Sequence, residues 1–306
     1  MRESSEYGKV AVLMGGWSSE REVSLMSGEQ VLKALQSAGV DAHGVDADRN
    51  LSAVLKEGGF ERVFNILHGQ GGEDGSVQGL LDVLGLPYTG SGVLASALAM
   101  DKLRAKGVIR ARGIATPAYA QVKTLSDCAE FAAEFGFPVV IKPISEGSSI
   151  GVSIVRDSEE LESAWQLAAG LGAVLAEQFI NGIEVTAAVL GDKALPLVSM
   201  STDRSFYDYQ AKYFDDDTRY LCPCGLPTDK EDEIRAIALD VFEALGARGW
   251  GRSDFMLDEI GTPYFIELNT IPGMTTHSLV PMAAQQCGID FKTLCLSILE
   301  SSFEVN

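Results

Sequence analysis

The chain is 306 residues long, with 24 Lys and Arg against 43 Asp and Glu and a net charge of −19. That length suits two or three modest domains, and 46% hydrophobic with 22% charged residues is ordinary globular usage, which excludes collagen, coiled coil and wholesale disorder. The acidic balance opposes the phosphate attraction behind non-specific nucleic-acid binding, so no nucleic-acid partner is expected, and a polyanionic ligand would need local donors or metal ions.

The first fourteen residues carry Glu3 and Glu6 and an apolar run only over 10–14, too short for a signal-peptide core. The longest uncharged stretch, 83–99, is interrupted by Gly85, Pro87, Gly90 and Gly92, so membrane insertion is not expected. Five scattered cysteines fit reduced thiols in the cytoplasm. Cys222 and Cys224 read either as half of a metal or redox site or as small hydrophobes.

Residues 9–14 form a short apolar strand ending in Gly15-Gly16. Ser18 and Ser19 then offer caps for an amphipathic helix over 22–38 with apolar Val23, Met26, Val31, Leu32 and Leu35. A strand over 41–45, a helix over 51–57 and a strand over 62–67 follow. Two successive crossovers imply a doubly wound parallel sheet, whose ligands sit beyond the carboxyl ends of the strands, where Gly15-Gly16 and His68-Gly69 fall. Helix-like residues 93–111 lead to Thr116-Pro117. A smaller unit has strands at 119–122, 138–141, 152–155 and 173–179 with helices at 125–135 and 158–169. Strands at 186–189 and 195–199, an irregular stretch over 203–220, a helix over 230–245, a hairpin over 250–269 and two terminal helices complete the chain. The expected class is α/β, with α+β central and C-terminal parts, in three domains spanning 1–100, 101–190 and 191–306. The irregular stretch is long for a passive connection and suits a lid.

The hairpin carries the most chemistry. Folding about Ile260 and Gly261 places Asp254 opposite Glu267 and Arg252 opposite Asn269, and alternation puts all four on one face, with Phe255, Leu257, Tyr264, Ile266 and Leu268 on the other. Two opposed carboxylates repel unless a cation lies between them. Asp254, Glu267 and Asn269 are oxygen ligands of the type that suits Mg²⁺ shared with substrate phosphates. Lys142 leaves an apolar strand ahead of a loop, 145–151, rich in Gly and Ser, whose backbone N–H groups could cradle phosphate. Glu20 opens a helix, either complementing its dipole or receiving an ammonium group. His68 ends a strand before a glycine-rich loop. Residues 206–213 hold three tyrosines and Lys212, suited to a lid or a docking surface.

Taken in order, Glu20-Arg21-Glu22-Val23-Ser24, Leu67-His68-Gly69, Met100-Asp101-Lys102, Lys142-Pro143 with Glu146-Gly147-Ser148-Ser149, Tyr207-Asp208-Tyr209-Gln210-Ala211-Lys212-Tyr213, Gly249-Trp250-Gly251-Arg252-Ser253-Asp254 and Glu267-Leu268-Asn269-Thr270-Ile271-Pro272-Gly273 resemble the D-alanine:D-alanine ligases within the ATP-grasp enzymes. The resemblance spans nearly the whole chain and implies an ATP-grasp fold in which two D-alanines are joined through D-alanyl phosphate, for peptidoglycan precursors. It implies that Lys102, Lys142, Ser148 and Ser149 surround the ATP phosphates, Glu177, Gln178 and Ile180 the adenine, and Glu184 the ribose. Asp254, Glu267 and Asn269 would hold two Mg²⁺, with Mn²⁺ as a substitute and a monovalent cation as a further candidate. Glu20 would take the ammonium of the first D-alanine, and Arg252 with the Gly273 N–H its carboxylate and later the oxyanion. Lys212 and Ser278 would bind the carboxylate of the second D-alanine, His68 and Leu279 would be further substrate-binding residues, and Tyr213 would latch the lid onto Ser148 and Glu20. A cytoplasmic homodimer is the expected setting. Gln178 departs from the lysine common in relatives. D-serine or D-lactate as acceptor, and an ATP-binding regulator without turnover, are the alternatives.

Overall fold

The computed structural model describes residues 2–201, 219–275 and 278–304. The expected lid, with Lys212 and Tyr213, lies outside them.

The N-terminal sheet is built on β1 (Val10–Gly15), a wholly buried run, flanked by β2 (Ala42–Ala47) and β3 (Arg62–Asn65) in the order β2-β1-β3, all parallel. A strand buried on both faces reads as continuous apolar sequence because helices cover both sides. Here α1 (Arg21–Ser37) covers one side together with chain-terminal helices, while α2 (Leu51–Gly58) and α3 (Ser76–Leu84) cover the other. The sequence reading missed α3, although Val77, Gln78 and Leu81 are buried at helical spacing. Tyr88 extends the sheet by a parallel bridge to Val63.

The helix expected over 93–111 is two helices, α4 (Val93–Met100) and α5 (Lys102–Ala111). Asp101 breaks them: its backbone is extended and its side chain accepts the Arg104 N–H at 2.9 Å, the behaviour of an N-cap. The central sheet follows, in the order β4-β7-β5-β6 and antiparallel throughout, from β4 (Tyr119–Val122), β5 (Val139–Pro143), β6 (Ser153–Val155) and β7 (Val174–Gln178). Helices α6 (Leu125–Phe135), started by a Thr124–Asp127 capping box, and α7 (Leu161–Ala169) close its core.

Among the described residues the third sheet has six strands. Strands β8 (Gly182–Leu190), β10 (Val198–Ser201), β11 (Arg219–Leu221), β12 (Trp250–Asp258) and β13 (Pro263–Asn269) run in the order β11-β10-β8-β12-β13, with β9 (Lys193–Ala194) paired to β8. The strand expected over 195–199 starts later, at Val198, because Pro196 has no N–H to give a ladder. Residues 182–190 therefore share a sheet with the C-terminal residues rather than with the centre. Helix α8 (Thr228–Leu245) and α5 pack against this sheet. Helices α9 (Leu279–Gln286) and α10 (Phe291–Glu300) return to the N-terminal unit, where Val280, Leu294 and Ile298 share a core with Val12, Val31 and Phe64. This return seals the first and last thirds of the chain together.

Candidate active site

The hairpin of β12 and β13 has the register expected from its turn: Arg252 faces Asn269 and Asp254 faces Glu267. Beyond Asp254 the ladder shifts, so that Phe255 faces Phe265 and Met256 faces Tyr264. Ile266 is the extra residue of a β-bulge, which exchanges the faces of the residues before it. Phe265 thus joins the core against Phe255, ring centroids 6.2 Å apart, and Tyr264 and Ile266 leave the fully buried positions expected of them. The two facing acids each have a cation. Arg252 holds Asp254 through Nε and Nη2, both at 2.7 Å, and Asn269 Nδ2 donates to the same carboxylate at 2.9 Å. Lys102 Nζ lies 3.1 Å from Glu267.

Lys102 is the first residue of α5 and joins two units. Its backbone N–H donates to Ile144 O, and its ammonium donates to Glu146 O at 2.6 Å as well as pairing with Glu267. Behind it lies the loop between β5 and β6, in which Ser148 and Ser149 both have left-handed backbones, at φ 50° and 59°. Such conformations cost non-glycine residues energy and persist where surrounding structure imposes them. Ser148 hydrogen-bonds Glu20 across 128 residues of sequence. A Cβ on Gly147 or on Gly69 would lie 2.8 Å from Glu20 Oε2, so both glycines are needed where this carboxylate sits. Burial, then the charge of Glu20, pushes the Glu146 carboxyl above its ordinary range.

Glu20 is buried at the N-cap of α1, and its side chain does not cap the helix. The turn before it is pinned by Ser18 Oγ donating to His68 O at 2.6 Å and by Ser24 Oγ donating to Ile66 O. His68 is buried behind it. Its Nδ1 lies 2.9 Å from Ile271 O, which can only accept, so Nδ1 carries the proton. Burial lowers its pKa, keeping the ring neutral, and Nε2 then accepts from Ser27, whose Oγ also receives the Met274 N–H at 3.2 Å. Glu73 completes the clasp by accepting Gly69 N–H at 2.7 Å and Ile271 N–H at 3.1 Å. Burial, and next the charge of Glu20, pushes the Glu73 carboxyl up to about 8.

On the central sheet, Lys142 and Glu177 are buried and paired, and Lys106 of α5, 0% exposed, binds the same carboxylate. Burial acts to raise the Glu177 pKa, but the two ammonium groups overcome it and hold it below its ordinary value. Gln178 ends β7, its N–H donating to Ala118 O, Ile180 follows just beyond, and Glu184 lies early in β8 opposite Met200 and Met256. Ser278 precedes α9, of which Leu279 is the first residue. Ser278 Oγ receives the Thr275 N–H at 3.0 Å and stands 3.1 Å from where a Cβ on Gly273 would lie.

The structure therefore gathers Glu20, His68, Lys102, Ser148 and the hairpin acids around one junction of the three sheets. Sequence reading passed over Glu73 and Lys106. Both left a signal: an acid inside the glycine-rich run 69–75, and a lysine on the helix stripe it shares with Lys102, Ala105 and Ile109. The oxygen-only set of Asp254, Glu267 and Asn269 fits Mg²⁺ held partly by phosphates; among the described residues no group of three or more His, Cys, Asp and Glu is placed to hold a metal. No helix among them is long and apolar enough to cross a membrane.

Residues 48–91 match the family model described as D-ala D-ala ligase N-terminus, and residues 108–300 match D-ala D-ala ligase C-terminus. The chain is 55% identical over 299 residues to the D-alanine–D-alanine ligase of Aromatoleum aromaticum, covering 97% of each. Among solved structures, the D-alanine–D-alanine ligase from Bacillus anthracis superposes with a TM-score of 0.85 at 35% identity, covering 97% of each chain. The D-Ala:D-Ser ligase VanG from Enterococcus faecalis superposes at 0.81 with 29% identity, covering 96% of this chain and 99% of that one. With over half its residues identical to such enzymes from end to end, the chain belongs to the D-alanine–D-alanine ligase family.

Proposed function

We propose that the chain uses ATP to join two D-alanines into D-alanyl-D-alanine for cell-wall synthesis, with the junction of the three sheets as its active site. One observation carries the assignment of the site: in a chain of this family, Glu20 and Ser148, far apart in sequence, meet, and Lys102 ties the same loop, at Glu146 O, to Glu267 of the facing pair Asp254 and Glu267. Lys102 and Lys142 take the ATP phosphates under the loop of Ser148 and Ser149. Glu177, Gln178 and Ile180 border the adenine, and Glu184 the ribose. Asp254, Glu267 and Asn269 would hold two Mg²⁺, or Mn²⁺, and the bound ions would draw charge off the phosphate oxygens.

Glu20 receives the ammonium of the first D-alanine, while Arg252 and the Gly273 N–H orient its carboxylate. That carboxylate attacks the γ-phosphorus, giving D-alanyl phosphate and ADP. The amine of the second D-alanine, whose carboxylate Lys212 and Ser278 hold, then attacks the acyl carbon and phosphate leaves; His68 and Leu279 also border the substrates. Arg252 and the Gly273 N–H donate to the oxyanion of that step. Tyr213 closes the lid towards Ser148 and Glu20, because an acyl phosphate exposed to water is hydrolysed. The same reading has the enzyme working in the cytoplasm as a homodimer. Phosphate release measured with D-alanine, L-alanine, D-serine and D-lactate tests it. Release that requires D-alanine, with D-alanyl-D-alanine as product, is expected. Preference for D-serine or D-lactate as acceptor would move the chain to a sister specificity, and no release with any of them would refute the reading.

A further inference from the structure

We propose that Lys106 is a positioning residue for ATP: by balancing the charge of Glu177, it leaves the charge of Lys142 available to the nucleotide phosphates. The proposal rests on the reading that Lys142 binds those phosphates.

Three charged side chains meet here, each nearly sealed from solvent. Lys106 and Lys142 pair with the two oxygens of Glu177, and their side chains are 0%, 6% and 3% exposed for Lys106, Lys142 and Glu177. One carboxylate with two ammonium groups carries a net charge of one positive unit. For stability alone this is a poor arrangement, since one lysine neutralises the acid and a second buried cation adds desolvation cost. The cost is visible at Lys106, where burial, opposed by Glu177 and assisted by Lys142, pushes the ammonium down to about 8.

The two lysines are not equivalent. Lys106 Nζ also donates to Thr116 Oγ1 at 2.9 Å and to Phe265 O at 3.2 Å, so it is held by the segment before β4 and by β13 as well as by Glu177. Its side chain is sealed from solvent. Lys142 lies at the end of β5, where the chain enters the loop of Ser148 and Ser149. Without Lys106, Lys142 would be the sole counter-ion of Glu177 and the group would be neutral. In a chain of net charge −19, a local positive site is what draws a polyphosphate.

The test is steady-state phosphate release by the full-length protein, varying ATP and D-alanine separately. Lys106→Met, which keeps the volume and removes the charge, is expected to raise the KM for ATP on the order of tenfold. The KM for D-alanine and kcat at saturating ATP should stay within about twofold. In a Glu177→Gln background, which sets aside the adenine contact of that residue, adding Lys106→Met is expected to leave the KM for ATP within about twofold of that of Glu177→Gln alone, since no carboxylate is left to balance. A tenfold rise on adding Lys106→Met in that background, as large as in the wild-type background, overturns the proposal, because a loss from packing would not depend on the carboxylate. So does an unchanged KM for ATP in Lys106→Met. If Lys106→Met does not fold by circular dichroism, the double variant, which leaves no carboxylate unpaired, is compared with Glu177→Gln: a KM for ATP within about threefold supports the proposal and a tenfold rise overturns it. Lys142→Met separates the two levels. If it leaves the KM for ATP unchanged, the phosphate reading itself falls; if it weakens ATP and Lys106→Met does not, only the role of Lys106 falls.

Discussion

Glu73→Gln probes the clasp between the glycine-rich loop and the segment after β13, and its effect should depend on pH in a defined direction. Glu73 accepts two backbone N–H groups, from Gly69 and from Ile271, and its carboxyl is pushed up to about 8 by burial and then by Glu20. The ordinary value is 4.5, so the folded protein retains a proton that the unfolded chain has released between about pH 4.5 and 8. Stability therefore falls as pH rises through that window, and the loss is complete above it. A full shift of this size corresponds to about 5 kcal/mol. Since the residue keeps part of its surface, roughly 2 to 3 kcal/mol is the better expectation. Glutamine cannot ionise, which removes this pH dependence, but its amide nitrogen cannot accept one of the two N–H groups, at a cost of about 1 to 3 kcal/mol. At pH 5.5 the variant should be the less stable protein by about that cost. Between pH 5.5 and pH 9, which takes in about 2.5 of the roughly 3.5 pH units of that window, the difference should then move by roughly 1.5 to 2 kcal/mol in the variant's favour. Urea unfolding followed by tryptophan fluorescence and circular dichroism at several pH values measures both. Parallel stability–pH curves for the two proteins would refute the reasoning.

Glu267→Gln should lower turnover on the order of a hundredfold while circular dichroism stays unchanged, since Glu267 faces Asp254 and neighbours Lys102; near-normal turnover would end the metal assignment. Gly147→Ala should raise the KM for D-alanine more than that for ATP, because its Cβ would lie 2.8 Å from Glu20 Oε2; equal effects on both would place Glu20 outside the D-alanine site. Saturating MgATP should raise the melting temperature, with about 2.7 kcal/mol of stabilisation at roughly a hundred times Kd. No shift in a thermal scan would contradict ATP binding.

What the sequence alone determined are features set by local rules. Strand periodicity of two and a tight turn at Ile260-Gly261 place Asp254 opposite Glu267 and Arg252 opposite Asn269, and the structure has that register. The alternation of apolar strands and amphipathic helices likewise yields the parallel N-terminal sheet, and the ordered motifs identify the family. Features that depend on distant contacts were decided only by the tertiary structure. The bulge at Ile266 turns Phe265 into the core, and no turn rule announces it. Residues 182–190 join the C-terminal sheet because β12 pairs along their whole length. Glu73 reaches Ile271 across 198 residues, and Lys142 reaches Glu177 across 35, where Lys106 also arrives from a helix. A charged residue on a helix stripe or in a glycine-rich loop is ambiguous in sequence, because its ionisation and its partners are set by which other chain segments enclose it, and folding alone brings those segments together.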